Sequence, residues 1–493
     1  MNSKKNSEIG YSQVKSQLGL SALGPTVPAR LAAVSKVTSA NDALLIPSNV
    51  APKADDPLSH LLFALKHEGT DLQLLSQALK KIPAQELVAA LTEAPTGVYI
   101  RTACFLWEAF NKQELEGAPT VTGALVKLFD PKKYVTGPSQ RNAKWRVNFN
   151  GLGSFDYCVT VERTARLSRL LDANILQRAN EFLSQLGVSA SERAMSSAYL
   201  NETKSSFEIE RETPSSGKAE AFVELLKQAS LASHLDEEYL VSLQNTAITN
   251  PFDRATHYRH QQNWLSSALR GAAGVTYVPP PPTLVGSLMS GLLEFANSAP
   301  KQVDPLIAAS IVSFGFVFIH PFMDGNGRLS RFLFHHALCQ SGLLKNGLLL
   351  PVSSAMRRNE ENYLAALKSF SAAARKRWDV QWIDGDDYQM TFNSDESLYR
   401  YWNATACVEF GLEMAEQALE KDLKEEAEFL ARYDLIYRAI DSRYDVRGKD
   451  LNVLVLSCME QNGKLSINRR KKFATTVPVE VFEAIESEYL KAR

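Results

Sequence analysis

From Leu306 to Ile319 the chain is almost wholly apolar, with small Ala and Ser residues interspersed. A run of that length suits a buried helix better than a strand. It is too short, and too interrupted by Ser310 and Ser313, to span a membrane. Pro321 disfavours helical geometry in the residue before it, so the spacing predicts a helix that ends at His320 with the imidazole at its terminus. A second helix is predicted from Arg328 through Cys339, with Leu329, Phe332, Leu333 and His336 available for packing. Between them, Asp324-Gly325-Asn326-Gly327 tolerates positive φ, so successive backbone N–H groups can converge on one anion.

The remaining pattern divides the chain. Residues 1–55 are rich in Ser, Ala, Pro and Lys and are expected to be a flexible arm with a little helix. Residues 56–160 read as a helical and mixed domain: Leu61–Leu65 and Leu87–Leu91 are helical, Pro95 and Gly97 mark a turn, and Lys132–Val159 is irregular and β-capable. Residues 161–234 read as a helical segment, from Arg163–Gln185 to Lys218–Ala232, and 235–380 as the core. Ser397–Arg432 is expected to be one long charged helix within a C-terminal helical module, 385–493. In front of the apolar helix, Gly271 and Gly274 punctuate a run ending in the β-formers Val275-Thr276-Tyr277-Val278. Pro279–Pro282 must stop any ladder there. The expected class is mostly α, with a short β-hairpin and no internal repeat.

Composition narrows the function classes. Charged residues make up 22% of 493 and the net charge is −1, so bulk electrostatics point to neither nucleic acid nor a membrane surface. Five scattered cysteines, an odd number, suit a reducing compartment and argue against disulfides or a zinc site. Lys4 and Lys5 precede no apolar stretch of signal-peptide type, so the expected location is the cytoplasm. The run Arg469-Arg470-Lys471-Lys472 allows a second class, a regulatory or DNA-binding protein, although a solvated patch is the commoner meaning of such a run.

The stretch His320 to Arg331 combines a base, a carboxylate, a Gly-Asn-Gly turn and two arginines. Any one of these alone would mean little: Asp-Gly-Asn-Gly is usually a plain turn, and paired arginines are usually a solvated face. Together they are the inventory for handling a nucleoside triphosphate. The nest falls at a helix N-terminus, where N–H groups and the macrodipole favour phosphate. Arg328 and Arg331, three apart, can share one helix face. The loop lacks the alternating acids of an EF-hand, and no G-x-x-x-x-G-K-[ST] occurs. His257 and His260 have a metal-like spacing but no nearby Cys or carboxylate partners.

The stretch His320-Pro321-Phe322-Met323-Asp324-Gly325-Asn326-Gly327-Arg328-Leu329-Ser330-Arg331 resembles the signature H-P-F-x-[D/E]-G-N-[G/K]-R-x-x-R of the Fic (Fido) family at every specified position. The resemblance implies an all-helical catalytic core and transfer of AMP from ATP to a Ser, Thr or Tyr hydroxyl of a target protein, self-modification included. By that resemblance His320 is the base, Asp324 holds Mg²⁺, and the Gly325-Asn326-Gly327 backbone cradles the phosphates. Arg328 and Arg331 would neutralise their charge, and Pro321 and Phe322 would shape the loop. Gly327 stands where members that transfer a terminal phosphate carry Lys, which favours AMP transfer; another nucleotide remains an alternative.

Three further segments extend the resemblance. Ser206 and Glu210 match the inhibitory motif [S/T]-x-x-x-E-[G/N], whose Glu pairs with the second signature arginine, here Arg331; Arg211 departs from the pattern. Arg259 to Val278 and the prolines resemble the family's flap, which aligns the target by strand addition. Tyr363-Leu364-Ala365-Ala366-Leu367 resembles the segment near the adenine, making Tyr363 a candidate contact, although a tyrosine on an amphipathic helix more often packs. The motifs name neither the target, nor the oligomeric state, nor what relieves Glu210.

Overall fold

The computed structural model describes residues 8–492 except positions 41, 54, 187, 232, 233, 249, 270, 346 and 386. Of the segments singled out above, residues 1–7 of the arm, Ala232 and Arg270 lie outside the described residues. The fold is mostly α, with small two- to four-stranded sheets. The chain separates into two compact units. One gathers the residues through Ala173 with Pro214–Gly342 and Asn359–Glu413; the other gathers Asn174–Thr213, Leu343–Arg358 and the chain from Met414 on.

In the first unit, the start of the chain is not a loose arm. Glu8–Ile9, Ala29–Leu31, Leu44–Ile46 and Thr38–Ser39 lie side by side in that order, and helix Tyr11–Leu18 follows the first strand. Tyr11 and Val14 are buried among Leu72, Leu74 and Leu75, while Ile9, Ala29, Ile46 and Phe63 form a second small core. Ile9, Tyr11, Val14, Ala29 and Ile46 of this Ser- and Pro-rich stretch turn inward, which its average composition conceals. Helices Pro57–His67, Leu72–Lys81, Ala84–Glu93 and Val98–Asn111 follow, the first two capped by Asp56 and Asp71. Short strands then occupy the β-capable region, Val126–Lys127 and Gln140–Asn142 flanking Val147–Phe149, with Leu152–Gly153 pairing Cys158–Val159.

The apolar run forms helix Pro305–Ile319, every residue of it buried, with the Asp304 carboxylate accepting from Leu306 and Ile307 N–H at its start. The helix after the loop is Asn326–Gln340, and Leu329, Phe332 and Leu333 are buried on it as the pattern predicted. Tyr157 lies between two helices at glycines. A Cβ on Gly291 would fall 2.6 Å from the Tyr157 Cβ, and one on Gly315 2.5 Å from its hydroxyl. The expected flap is present as a hairpin, Leu265–Ser266 against Val275–Tyr277, and Pro282 opens helix Pro282–Ser298.

Two sequence expectations are corrected. Ser397–Arg432 is not one helix: Ser397–Arg400 ends, and Tyr401 to Ala404 run extended before helix Thr405–Gln417. There Trp402 O accepts from Thr160 N–H at 3.0 Å, Ala404 N–H donates to Thr160 O at 2.8 Å, and Trp402 is buried with its indole N–H on Tyr157. Strand pairing and aromatic burial outweigh helix propensity at these four residues. The boundary drawn between 380 and 385 falls inside a hairpin, Trp378–Asp384 with Asp387–Phe392, whose Trp378 and Val380 pack on Val275 and Val278 beside the flap.

In the second unit, helix Val188–Ile209 packs against Val352–Arg358 and Lys424–Asp441. The fully buried Glu202 carboxylate accepts from Ser353 N–H at 2.8 Å and Ser353 Oγ at 2.5 Å. Arg193 pairs with Asp434, and Arg357 with Glu208. Lys424–Asp441, Gly448–Glu460 and Val479–Lys491 share one apolar core. Among the described residues no helix is long and apolar enough to cross a membrane.

Burial in the N-terminal core yields a pH signature. Glu68 accepts from Tyr11 N–H at 2.9 Å, and burial pushes its carboxyl up to about 7. The folded state therefore holds a proton that the unfolded chain has released, so this group erodes stability as pH rises from 4.5 to about 7. Glu68→Gln is expected to stabilise the protein by ~2 kcal/mol above pH 7, with the gain vanishing near pH 4.5, as read by denaturant titration across pH.

Candidate active site

The loop that carries the motif is built by its two helices and closed from outside. Pro321 excludes helical backbone at His320, which instead takes φ 52°, ψ 60° while its N–H still donates to Phe316 O at 2.8 Å. Left-handed backbone costs a non-glycine residue ~1–2 kcal/mol. Arg259 stabilises it. Its Nε donates to His320 O at 2.8 Å, one terminal nitrogen donates to Pro280 O at 2.6 Å and Ile319 O at 3.4 Å, and the other donates to Gln261 O at 3.0 Å. The Arg259 backbone N–H adds a bond to Pro321 O at 2.8 Å. Arg259 is 5% exposed, and burial pulls its guanidinium down to about 10, so it is still a cation at neutral pH. A cation over the last carbonyls of a helix is favoured by the macrodipole.

Held this way, the imidazole of His320 places Nδ1 3.2 Å from Val317 O. A carbonyl accepts only, so in the neutral ring Nδ1 carries the proton and Nε2 keeps its lone pair. After His320, the Asn326 side chain folds back on the loop: Oδ1 accepts from Phe322 N–H at 3.0 Å and Nδ2 donates to Phe322 O at 2.8 Å. Asn263 adds a third bond, Nδ2 to Phe322 O at 3.0 Å, and the buried Phe322 ring meets Tyr258. The sequence reading gave Asn326 a place in the backbone cradle; the structure also makes its side chain the clasp of the loop.

Gly325 has φ 85° and begins helix Asn326–Gln340. A Cβ there would stand 3.2 Å from Ile248, and Gln244 Nε2 donates to the Asp324 carbonyl at 3.2 Å. The first-turn N–H groups of a helix have no intrahelical acceptor, which is what an anion site needs. Asp324 is 37% exposed at its side chain and pairs with Arg328 at 3.2 Å, while Arg328 also donates to Ala247 O at 3.0 Å. Arg328 and Arg331 are each 1% exposed. The arginines thus sit inside the protein, and Arg328 is already engaged with the carboxylate of its own loop.

Tyr363 is half-buried, its ring centroid 6.1 Å from Phe314 and 5.7 Å from Phe410, in the packing role weighed for it. The flap is tied to the motif helix: Tyr277 Oη donates to Phe318 O at 2.6 Å, and Arg375 Nε donates to Val275 O at 2.9 Å. His257 and His260 lie exposed with ring centroids 5.4 Å apart. Among the described residues no three His, Cys, Asp or Glu gather as a metal site.

Ser206 and Glu210 belong to the second unit and Arg331 to the first. Ser206 is buried and Glu210 exposed, just past helix Val188–Ile209. The helix ends with Arg211 at φ 60°, Arg211 N–H donating to Glu208 O and Glu212 N–H to Phe207 O, both at 3.0 Å. This is a Schellman ending, and its left-handed position is where Gly or Asn fits at least cost. Arg211 thus ends the helix in the same geometry, at some strain.

Comparison with known proteins places this loop. The Fic/DOC family pattern matches residues 234–338. A probable protein adenylyltransferase of Aquifex aeolicus (strain VF5) is 33% identical over 101 residues, 20% of this chain and 28% of that protein. Protein adenylyltransferase Fic of Drosophila willistoni is 37% identical over 67 residues, 13% of this chain and 14% of that one. The matches thus span less than a third of either relative. Among solved structures, a Fic family protein from Desulfovibrio desulfuricans G20 shares 19% identity over 63% of this chain and 90% of its own, with a TM-score of 0.39. A Fic domain containing signaling protein from Bacteroides thetaiotaomicron shares 17% identity over 53% of this chain and 96% of its own, with a TM-score of 0.37. This is a Fic-domain protein, and residues 234–338 are its Fic/DOC domain.

Sequence reasoning missed Arg259, Asn263, Gln244 and the Ala247 carbonyl as supports of the loop. Arg259 and Asn263 stood in the flap region, where an arginine with no carboxylate nearby in sequence was the available signal. Arg259→Lys keeps the charge but cannot reach four carbonyls, and is expected to destabilise the protein by ~2–3 kcal/mol, measured by chemical denaturation.

Proposed function

We propose that this protein transfers AMP from ATP to a Ser, Thr or Tyr hydroxyl of a target protein and releases pyrophosphate. The observation that carries the reading is the His320 imidazole, which turns Nδ1 to the Val317 carbonyl and so makes Nε2 the basic nitrogen of the neutral ring. In the reaction Nε2 takes the hydroxyl proton as the oxygen attacks the α-phosphorus. The bond from that phosphorus to the α–β bridging oxygen breaks, and pyrophosphate carries away the electron pair. Catalysis of this kind is mostly positioning and charge stabilisation.

The Gly325-Asn326-Gly327 turn would receive the phosphates on first-turn N–H groups, and the Asn326 clasp would keep that turn in shape. Arg328 and Arg331 add positive charge. A single half-exposed carboxylate, Asp324, fits Mg²⁺ that takes most of its ligands from nucleotide and water. Bound there, the ion would neutralise phosphate charge. The exposed edge residues Leu265 and Ser266 suit strand addition by a target segment. Tyr363 is retained as a candidate adenine contact through its motif alone. The five free cysteines, four of them buried, suit a reducing compartment such as the cytoplasm.

Autoinhibition by Glu210 pairing with Arg331 belongs to the same proposal. It is supported by the motif and by the Schellman ending that carries Glu210. The alternative, a DNA-binding protein with a silent core, is not favoured by the basic run: Arg470 pairs with Glu486 and lies over Phe482.

The test incubates wild type, His320→Ala and Glu210→Gly with labelled ATP, CTP, GTP and UTP, and weighs the products by intact mass. The expected result is an AMP adduct that falls ~10²–10⁴-fold in His320→Ala. Glu210→Gly is expected to raise it about tenfold or more, equivalent to ~1.4 kcal/mol. A product that gains phosphate alone would overturn the reaction, and unchanged labelling in Glu210→Gly would overturn the inhibition.

A further inference from the structure

The first unit contains a cleft of about 580 Å³ that shares no residue with the motif loop. That volume is in the range of small-molecule sites, ~300–1,000 Å³. Its deep wall is apolar and aromatic, with Tyr11, Leu72, Phe370, Tyr401 and Trp402 all buried. Its rim is charged, with Lys132, Lys133, Glu162 and Arg163 exposed.

Two polar side chains lining the cleft are half satisfied. Gln73 is 5% exposed; its Oε1 accepts from Leu23 N–H at 3.1 Å, while Nε2 has no hydrogen-bond acceptor among the described residues. Glu68 accepts from Tyr11 N–H through Oε1, and its buried Oε2 has no partner among them. Native proteins seldom leave buried polar atoms unpaired, because the lost hydration is not returned. Above pH 7, where the Glu68 carboxyl has released its proton, one orphan donor and one orphan acceptor in one cleft call for a ligand presenting an acceptor beside a donor. Aromatic walls favour a planar carrier for that pair. At the rim the three cations Lys132, Lys133 and Arg163 outnumber the carboxylate of Glu162, which accepts from Asn403 Nδ2 at 2.8 Å, and this positive excess suits an anionic tail.

We propose that this cleft is a second nucleotide site, which takes a mononucleotide with its base edge on Gln73 and Glu68 and its phosphate at Lys132, Lys133 and Arg163. A heterocyclic base supplies the donor–acceptor edge and the flat face, and the phosphate supplies the charge. An occupant would also touch the seat of the motif helix. Phe370 and Trp402 line the cleft and meet Phe318 with ring centroids 4.7 and 5.0 Å apart, two residues before His320. The site is therefore placed to act as an effector site.

The experiment titrates the full chain with AMP, GMP, CMP and UMP by calorimetry. At least one is expected to bind the Arg331→Ala variant, in which the motif loop is impaired. Binding should weaken tenfold or more in the Lys132→Glu/Lys133→Glu double variant, whose changes are confined to exposed side chains. In case Arg331→Ala does not fold, azido-AMP photolabelling of wild type gives a second reading, with label expected on peptides containing Tyr134 or Trp402. Any of three results overturns the proposal: no mononucleotide binding at millimolar concentration, affinity untouched by the double charge reversal, or label confined to the His320–Arg331 peptide. None of these readouts requires AMP transfer, so failure of that reaction would leave this test standing.

Discussion

The candidate site depends on one buried cation, Arg259. A helix that must stop at His320 leaves its last carbonyls pointing at nothing, and the histidine itself in backbone geometry that resists it. The guanidinium meets both difficulties, gathering Ile319, His320, Pro280 and Gln261 carbonyls around a single planar fork. Only arginine has enough donors in a rigid plane to do this. It also joins the end of the motif helix to the prolines that follow the flap, so base and flap take their positions from the same side chain.

Around that staple the loop is over-determined. Asn326 and Asn263 converge on Phe322, Gln244 holds the Asp324 carbonyl, and Arg328 is tethered to Ala247. Such redundancy keeps a strained conformation in place and leaves little to rearrange when charge arrives. The fully buried helix Pro305–Ile319 is the rigid member to which these contacts refer, and Tyr157 packs into the space left open by Gly291 and Gly315.

Much of this was legible beforehand. The end of the helix at His320, the second helix and the flap hairpin follow from local rules: a proline after the histidine, glycines that permit positive φ, and β-formers stopped by prolines. What was not legible came from distant partners. Tyr401 to Ala404 has no local reason to leave the helix; it does so because Thr160 offers backbone bonds and Tyr157 accepts the Trp402 indole N–H. The ordered N-terminal sheet has no period in the sequence because its inward residues, Ile9, Ala29 and Ile46, are too far apart to show one. Glu202 drew no notice within a motif read for Ser206 and Glu210, yet it is the fully buried carboxylate of that helix.

The sequence by itself determined which chemistry the chain can attempt, because a base, a carboxylate, a nest and two arginines lie within one short loop and short-range backbone rules suffice to shape it. Only the tertiary structure decided how those groups are poised. The tautomer of His320 depends on a carbonyl one turn back, the pairing of Asp324 on a buried arginine, and the survival of left-handed backbone at His320 on Arg259. A covalent neighbour can forbid a conformation, as Pro321 does, but the partners that stabilise the one remaining come from 59 to 81 residues away in sequence, and only folding delivers them.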